Sequence, residues 1–146
     1  MEIIIFGAPG VGKGTQAKII SSKLNIPHIS TGDILRDAIN KQTPMGIKAK
    51  EIVEKGNLVP DEIVAGIVDD VLKDPKCRKG FILDGFPRTV EQALLLKPIL
   101  ERLKINNLII LSLDAKDEII IERLSQRRLC TNCKNIVSNK EIVMAN

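Results

Sequence analysis

The sequence predicts a three-layer α/β fold with a parallel sheet, and three observations carry the prediction. Ile3-Ile4-Ile5-Phe6 is a short, largely β-branched apolar run, which suits a strand buried on both faces better than an amphipathic helix. It leads into Gly7-Ala8-Pro9-Gly10-Val11-Gly12-Lys13, and then into a helix-compatible segment from Gly14 to Lys23. Downstream, short apolar runs alternate with helical stretches, the order that crossover connections between parallel strands require.

The spacing G-x-x-x-x-G-K between a strand and a helix is a phosphate-cradling loop, and the expected fold is therefore of the P-loop nucleotide-binding type. Glycines let backbone N–H groups converge without a Cβ in the way, and the helix adds unsatisfied N–H groups and its positive dipole end. Lys13 brings a full positive charge. Gly14 stands where a Ser or Thr usually ligates magnesium, and the hydroxyl comes one place later at Thr15. Magnesium is accordingly expected to be held through water and substrate phosphates more than by this loop.

The remaining elements follow in order. Pro27 to Ser30 reads as a very short second strand, with Ser30 or Thr31 able to cap a helix from Gly32 to Lys41. Gln42 to Gly46 breaks that helix, and another runs to Lys55, stopped by Gly56. Asp61 caps the next helix, to about Leu72, with Asp74-Pro75 as its stop. Phe81-Ile82-Leu83 is a third strand, ending in Asp84-Gly85-Phe86-Pro87-Arg88, where Phe86-Pro87 is a candidate cis peptide. Thr89 opens a helix that Pro98 should bend or end. Asn107 to Leu113 is the fourth strand, and Asp114 caps a helix reaching Arg128. The expected organisation is a core of residues 1–29 and 60–122, a small helical insertion at 30–59, and a further unit beginning at 123.

Composition narrows the function. A chain of 146 residues is one domain's worth, and 44% hydrophobic with 27% charged residues is ordinary for a soluble globular protein. No apolar run approaches a membrane span and the N-terminus lacks the pattern of a signal peptide, so a cytoplasmic protein without membrane partners is expected. The formal charge of +4 fits small polyanions, while 2% aromatic residues, without Trp or Tyr, give little for stacking nucleic-acid bases. Cys77, Cys130 and Cys133 are too few for a disulfide scaffold.

Taken together, GAPGVGKGT from Gly7, STGDILR from Ser30, GNLVPDE from Gly56 and FILDGFPR from Phe81, with Gln92 and Arg127-Arg128, resemble the adenylate kinase family over essentially the whole chain. The resemblance implies transfer of the terminal phosphoryl group of MgATP to AMP, in a protein expected to be a monomer. That chemistry is mostly positioning and charge neutralisation, so it needs fixed cations around two nucleotides. By similarity Gly10, Val11, Gly12, Lys13, Gly14 and Thr15 hold the ATP phosphates. Arg123 and Arg127, four residues apart and so expected on one helical face, cover the ATP adenine and reach the transferring group. Arg36 and Arg88 clamp the AMP phosphate, and Gly32 belongs to the AMP-binding set. Thr31, Val59, Gly85 and Gln92 match positions that accept the AMP base, with Gln92 offering a paired donor and acceptor. Asp84 organises magnesium. Lys13, Asp84, Arg88 and Arg127 are thus the expected catalytic set.

The attacking phosphate oxygen is already anionic, so no side-chain base is required, and the single histidine, His28, reads as structural. Cys130 and Cys133 have the spacing of half a tetrahedral zinc site, at the start of what the family uses as a lid. The family pattern continues past Asn146, so these residues are expected to be part of a longer chain with a partial lid. Rival readings are a kinase for UMP, CMP or GMP, a nucleotide-binding regulatory module, for which Asn139-Lys140-Glu141 is a faint guanine-reading echo, and a zinc-ribbon nucleic-acid module at Cys130 and Cys133.

Overall fold

A computed structural model describes residues 1–129 and 136–138. In order they form β1 (Glu2–Gly7), α1 (Lys13–Leu24), β2 (His28–Ser30), α2 (Thr31–Asn40), α3 (Pro44–Glu54) and α4 (Asp61–Leu72). A 3-10 helix (Pro75–Lys79) precedes β3 (Phe81–Asp84), α5 (Val90–Arg102), β4 (Leu108–Leu113), α6 (Asp117–Gln126), β5 (Arg127–Leu129) and β6 (Ile136–Ser138). The first four strands make a parallel sheet in the order β2-β3-β1-β4, and β5 and β6 pair antiparallel in a separate ribbon.

The β1 run is buried, and its residues alternate between two cores as a strand demands. Ile4 packs with Val68 and Leu72 of α4 and Leu96 and Ile99 of α5. Ile3 and Ile5 face the other way, onto Ala17 of α1, Ile26 and Ile82. Helices thus cover both sheet faces, which explains why the strand reads as continuous apolar sequence. Cys77 is buried in the α4–α5 side, where burial first, and then the Asp74 carboxylate, push its thiol pKa up against the opposing charge of Lys76. Among the described residues no helix is long and apolar enough to cross a membrane.

Segment 30–59 holds α2 and α3, which pack on one another and on α4. Phe86-Pro87 is cis, as expected. Several local expectations are corrected. Ser30 occupies the N-cap of α2 without a side-chain capping bond, and Thr31 is already helical. Pro60, not Asp61, is the N-cap of α4, and the Asp61 carboxylate reaches α5 instead. Of the two outcomes expected at Pro98, a bend or an end, α5 does not end there: Pro98 lies inside the helix on its exposed face. Asp114 accepts from the Ala115 N–H, and the following helix starts only at Asp117.

The correction with most bearing on the site is at the end of α6. The helix runs through residue 123, so the expected boundary there falls inside it, and it stops at Gln126. Arg127 has extended backbone and pairs with Ser138 across the ribbon. Arg123 and Arg127 therefore do not share a helical face.

Candidate active site

Parallel pairing of β1 with β3, Ile5 opposite Asp84, brings the glycine loop after β1 beside the carboxyl end of β3. Ligands of open parallel sheets bind at such carboxyl ends. Gly10 and Gly12 have φ of 85° and 109°, a backbone that side chains rarely adopt. A Cβ on Gly10 would also meet Leu124 Cγ of α6 at 2.7 Å, so the loop can pass under α6 only as glycine. Gly12 is the N-cap of α1 and provides no side-chain acceptor, which leaves the first-turn amides for an anion. Lys13 Nζ donates to the carbonyls of Gly7 and Ala8 at 2.8 and 2.9 Å, folding its charge back onto the loop. Arg123 Nη1 donates to the Val11 carbonyl at 2.9 Å, tying α6 to the same loop.

A second group collects around Gly85. Thr31 Oγ1 donates to the Asp84 carbonyl at 3.0 Å, and Arg88 Nε donates to the Gly85 carbonyl at 2.8 Å. Gly85 has φ 90°, and a Cβ there would lie 2.9 Å from Arg88 Nη2 and 3.1 Å from Thr31 Oγ1. Glycine is what leaves room for a hydroxyl and a guanidinium where a Cβ would stand. Arg36, one turn into α2, is exposed and pairs with Asp33 at 2.5 Å, its guanidinium beside Gly32. Partial burial, the largest influence on Asp33, raises its pKa, but bonds from Arg36 and Ser30 with the charges of Arg36 and His28 outweigh it, and the net shift is downward. Val59 is half-buried between α3 and α4.

Gln92 is 9% exposed. Its Oε1 accepts from the Arg88 N–H at 2.7 Å, and its Nε2 donates to Asp61 Oδ1 at 2.6 Å. Each end of the carboxamide has a protein partner, and one further N–H and one further lone pair remain for a ligand.

Asp84 joins the two groups. Its carbonyl takes the Thr31 hydroxyl, while its Oδ2 lies 3.6 Å from where a Cβ on Gly14 would be. The same oxygen is 3.2 Å from His28 Nε2. A single carboxylate beside a residue without a hydroxyl fits a magnesium ion that takes most of its oxygens from phosphates and water. Among the contacts that escaped the sequence reading are His28 with Asp84 and Asp61 with Gln92. Each joins residues far apart in the chain: the first follows from the pairing of β2 with β3, the second from the packing of α4 on α5. Cys130 and Cys133 lie outside the described residues.

A parallel sheet flanked by helices, with a glycine loop and a lysine at the carboxyl end of β1, defines the class of P-loop nucleotide-binding proteins. Within that class the chain belongs to the adenylate kinase family, whose model matches residues 5–145. It is 58% identical over 142 residues to an adenylate kinase of Ruminiclostridium cellulolyticum, covering 95% of this chain and 66% of that protein. An adenylate kinase of Kosmotoga olearia is 53% identical over 136 residues, 93% of this chain and 63% of the relative. One from Methanocella arvoryzae is 50% identical over 133 residues, 91% of this chain and 62% of the relative. The chain therefore spans just under two thirds of the length of these relatives.

Proposed function

We propose that the protein moves the terminal phosphoryl group of MgATP onto AMP, giving two ADP. The observation that supports this reading above others is the place of Asp84, whose carbonyl accepts from Thr31 beside Gly85 and Arg88 while its carboxylate lies next to Gly14, so that a triphosphate-type loop and an arginine-bearing side adjoin one another. A single-nucleotide switch has no use for the second side.

In this reading the α1 amides, Lys13 and Arg123 hold ATP, while Arg36 and Arg88 neutralise the AMP phosphate, with Thr31, Gly32, Val59, Gly85 and Gln92 around the nucleoside. Lys13 leaves the Gly7 and Ala8 carbonyls for phosphate oxygens, which are stronger acceptors. Arg36 likewise exchanges Asp33 for phosphate. Arg127, on the ribbon after α6, approaches the transferring group from there. Magnesium, when bound, neutralises charge on the phosphates, and Asp84 orients the water it carries. No residue takes a proton, since the attacking oxygen is anionic. Closing the site over both nucleotides excludes water and with it the competing hydrolysis of ATP.

An assay of ADP formation from MgATP with AMP, GMP, CMP or UMP tests the proposal. ADP production that depends on AMP and is slower with the other three is the expected result. Hydrolysis of ATP unaffected by any monophosphate contradicts it.

A further inference from the structure

Asp61 does not cap its own helix. Its Oδ1 accepts from Gln92 Nε2 at 2.6 Å, and its Oδ2 lies 3.4 Å from the Thr89 hydroxyl. That hydroxyl in turn caps α5 by accepting from the Gln92 N–H at 3.1 Å. On the other side, the Arg88 N–H donates to Gln92 Oε1 at 2.7 Å.

A carboxylate only accepts and a backbone N–H only donates. Between them the Gln92 carboxamide has one allowed orientation, because the flipped form would set oxygen against oxygen and N–H against N–H. Gln92 is buried, so neither mismatch would be relieved by water. Adenine offers an acceptor at N1 and a donor at N6, whereas guanine offers a donor at N1 and an acceptor at O6. A carboxamide of fixed orientation matches one of these orders and opposes the other.

We propose that Asp61 is a specificity-determining residue of the monophosphate site: by fixing which end of the Gln92 carboxamide donates, it makes the site choose adenine over guanine. It does so as a positioning residue, without touching the base. The inference rests on the functional reading above, in which Gln92 meets the base of AMP.

Calorimetric titration of AMP, GMP and ATP into the wild-type protein, D61L and D61N tests it. Leu has the shape of Asp without an acceptor, and Asn keeps one. The wild type should prefer AMP. In D61L only the Arg88 N–H still sets the carboxamide and the Nε2 end loses its anchor, so the ratio of AMP to GMP affinity should fall about tenfold, within the range that one good paired contact to a base supplies. ATP affinity should stay within about twofold, and D61N should restore most of the ratio. Equal losses for AMP and GMP, or an unchanged ratio, overturn the inference while leaving the functional reading in place. A folded wild type that binds no AMP sinks that reading and this inference with it. If D61L does not fold, the wild type alone decides: the Gln92 side-chain N–H facing Asp61 should resist hydrogen exchange in the free protein, and free exchange overturns the proposal.

Discussion

His28 Nε2 lies 3.2 Å from Asp84 Oδ2, with both side chains 14% exposed, so the one histidine of the chain holds the carboxylate that joins the two halves of the site. The contact exists because β2 pairs with β3, Ser30 opposite Asp84 and His28 opposite Ile82.

Removing that partner should leave a mostly buried carboxylate short of a donor, a loss of about 1–3 kcal/mol. H28L is expected to lower the melting temperature by several degrees, and H28Q, which keeps an N–H near the position of Nε2, to recover part of it. Thermal unfolding followed by circular dichroism checks this. Equal melting temperatures for wild type and H28L contradict it.

Lys13 is the full positive charge of the phosphate loop. K13M should leave the fold intact, because the ammonium is exposed and its carbonyl partners can bind water. Turnover should fall about 100- to 1000-fold, as when one preorganised charge-stabilising donor is removed. Steady-state ADP formation is the readout, and a near-normal rate takes Lys13 out of the mechanism.

Gly85 carries both a positive φ and the close approach of Thr31 and Arg88. G85A should strain the backbone by about 1–3 kcal/mol and push the Arg88 guanidinium aside. AMP affinity should drop more than ATP affinity in separate calorimetric titrations. Equal losses for both nucleotides would show that Gly85 and Arg88 do not serve one side of the site.

Asp33 has a folded-state pKa below its ordinary value. Its contribution to stability is therefore complete above the unfolded carboxyl pKa, near 4, and disappears as pH falls through the lower folded value. D33N should lower the melting temperature slightly at pH 7, since the pair with Arg36 is exposed, and the difference should shrink as the pH falls below the ordinary carboxyl range. A difference that is constant with pH contradicts the assignment.

The sheet and the phosphate loop were legible because their signals are local: a β-branched run, glycines at fixed spacing, a lysine. All four parallel strands fall where their apolar runs predict. The failures are places where a distant partner decides. Arg127 continues a sequence with ordinary helix propensity, yet its pairing with Ser138 draws it into a strand. Asp61 reads as a cap from its neighbours, but its partner is Gln92, thirty-one residues on. Pro98 reads from its neighbours as a bend or an end, and the helix runs on past it with the proline on the exposed face of α5. For the site, residue types were readable from the motifs, whereas the use of Gln92 by Asp61 and Arg88 was not.

In the proposed function two phosphate-holding groups, one on the glycine loop and one around Gly85, serve a single site with Asp84 between them. Calorimetric titration with a dinucleotide of two adenosines joined through a polyphosphate chain tests it most directly. One molecule should bind per protein chain, at least about 100-fold more tightly than AMP or ATP alone, because the second half binds at the effective concentration set by the first. Affinity no better than that of the tighter mononucleotide, or two molecules per chain, would mean that the groups do not face one another.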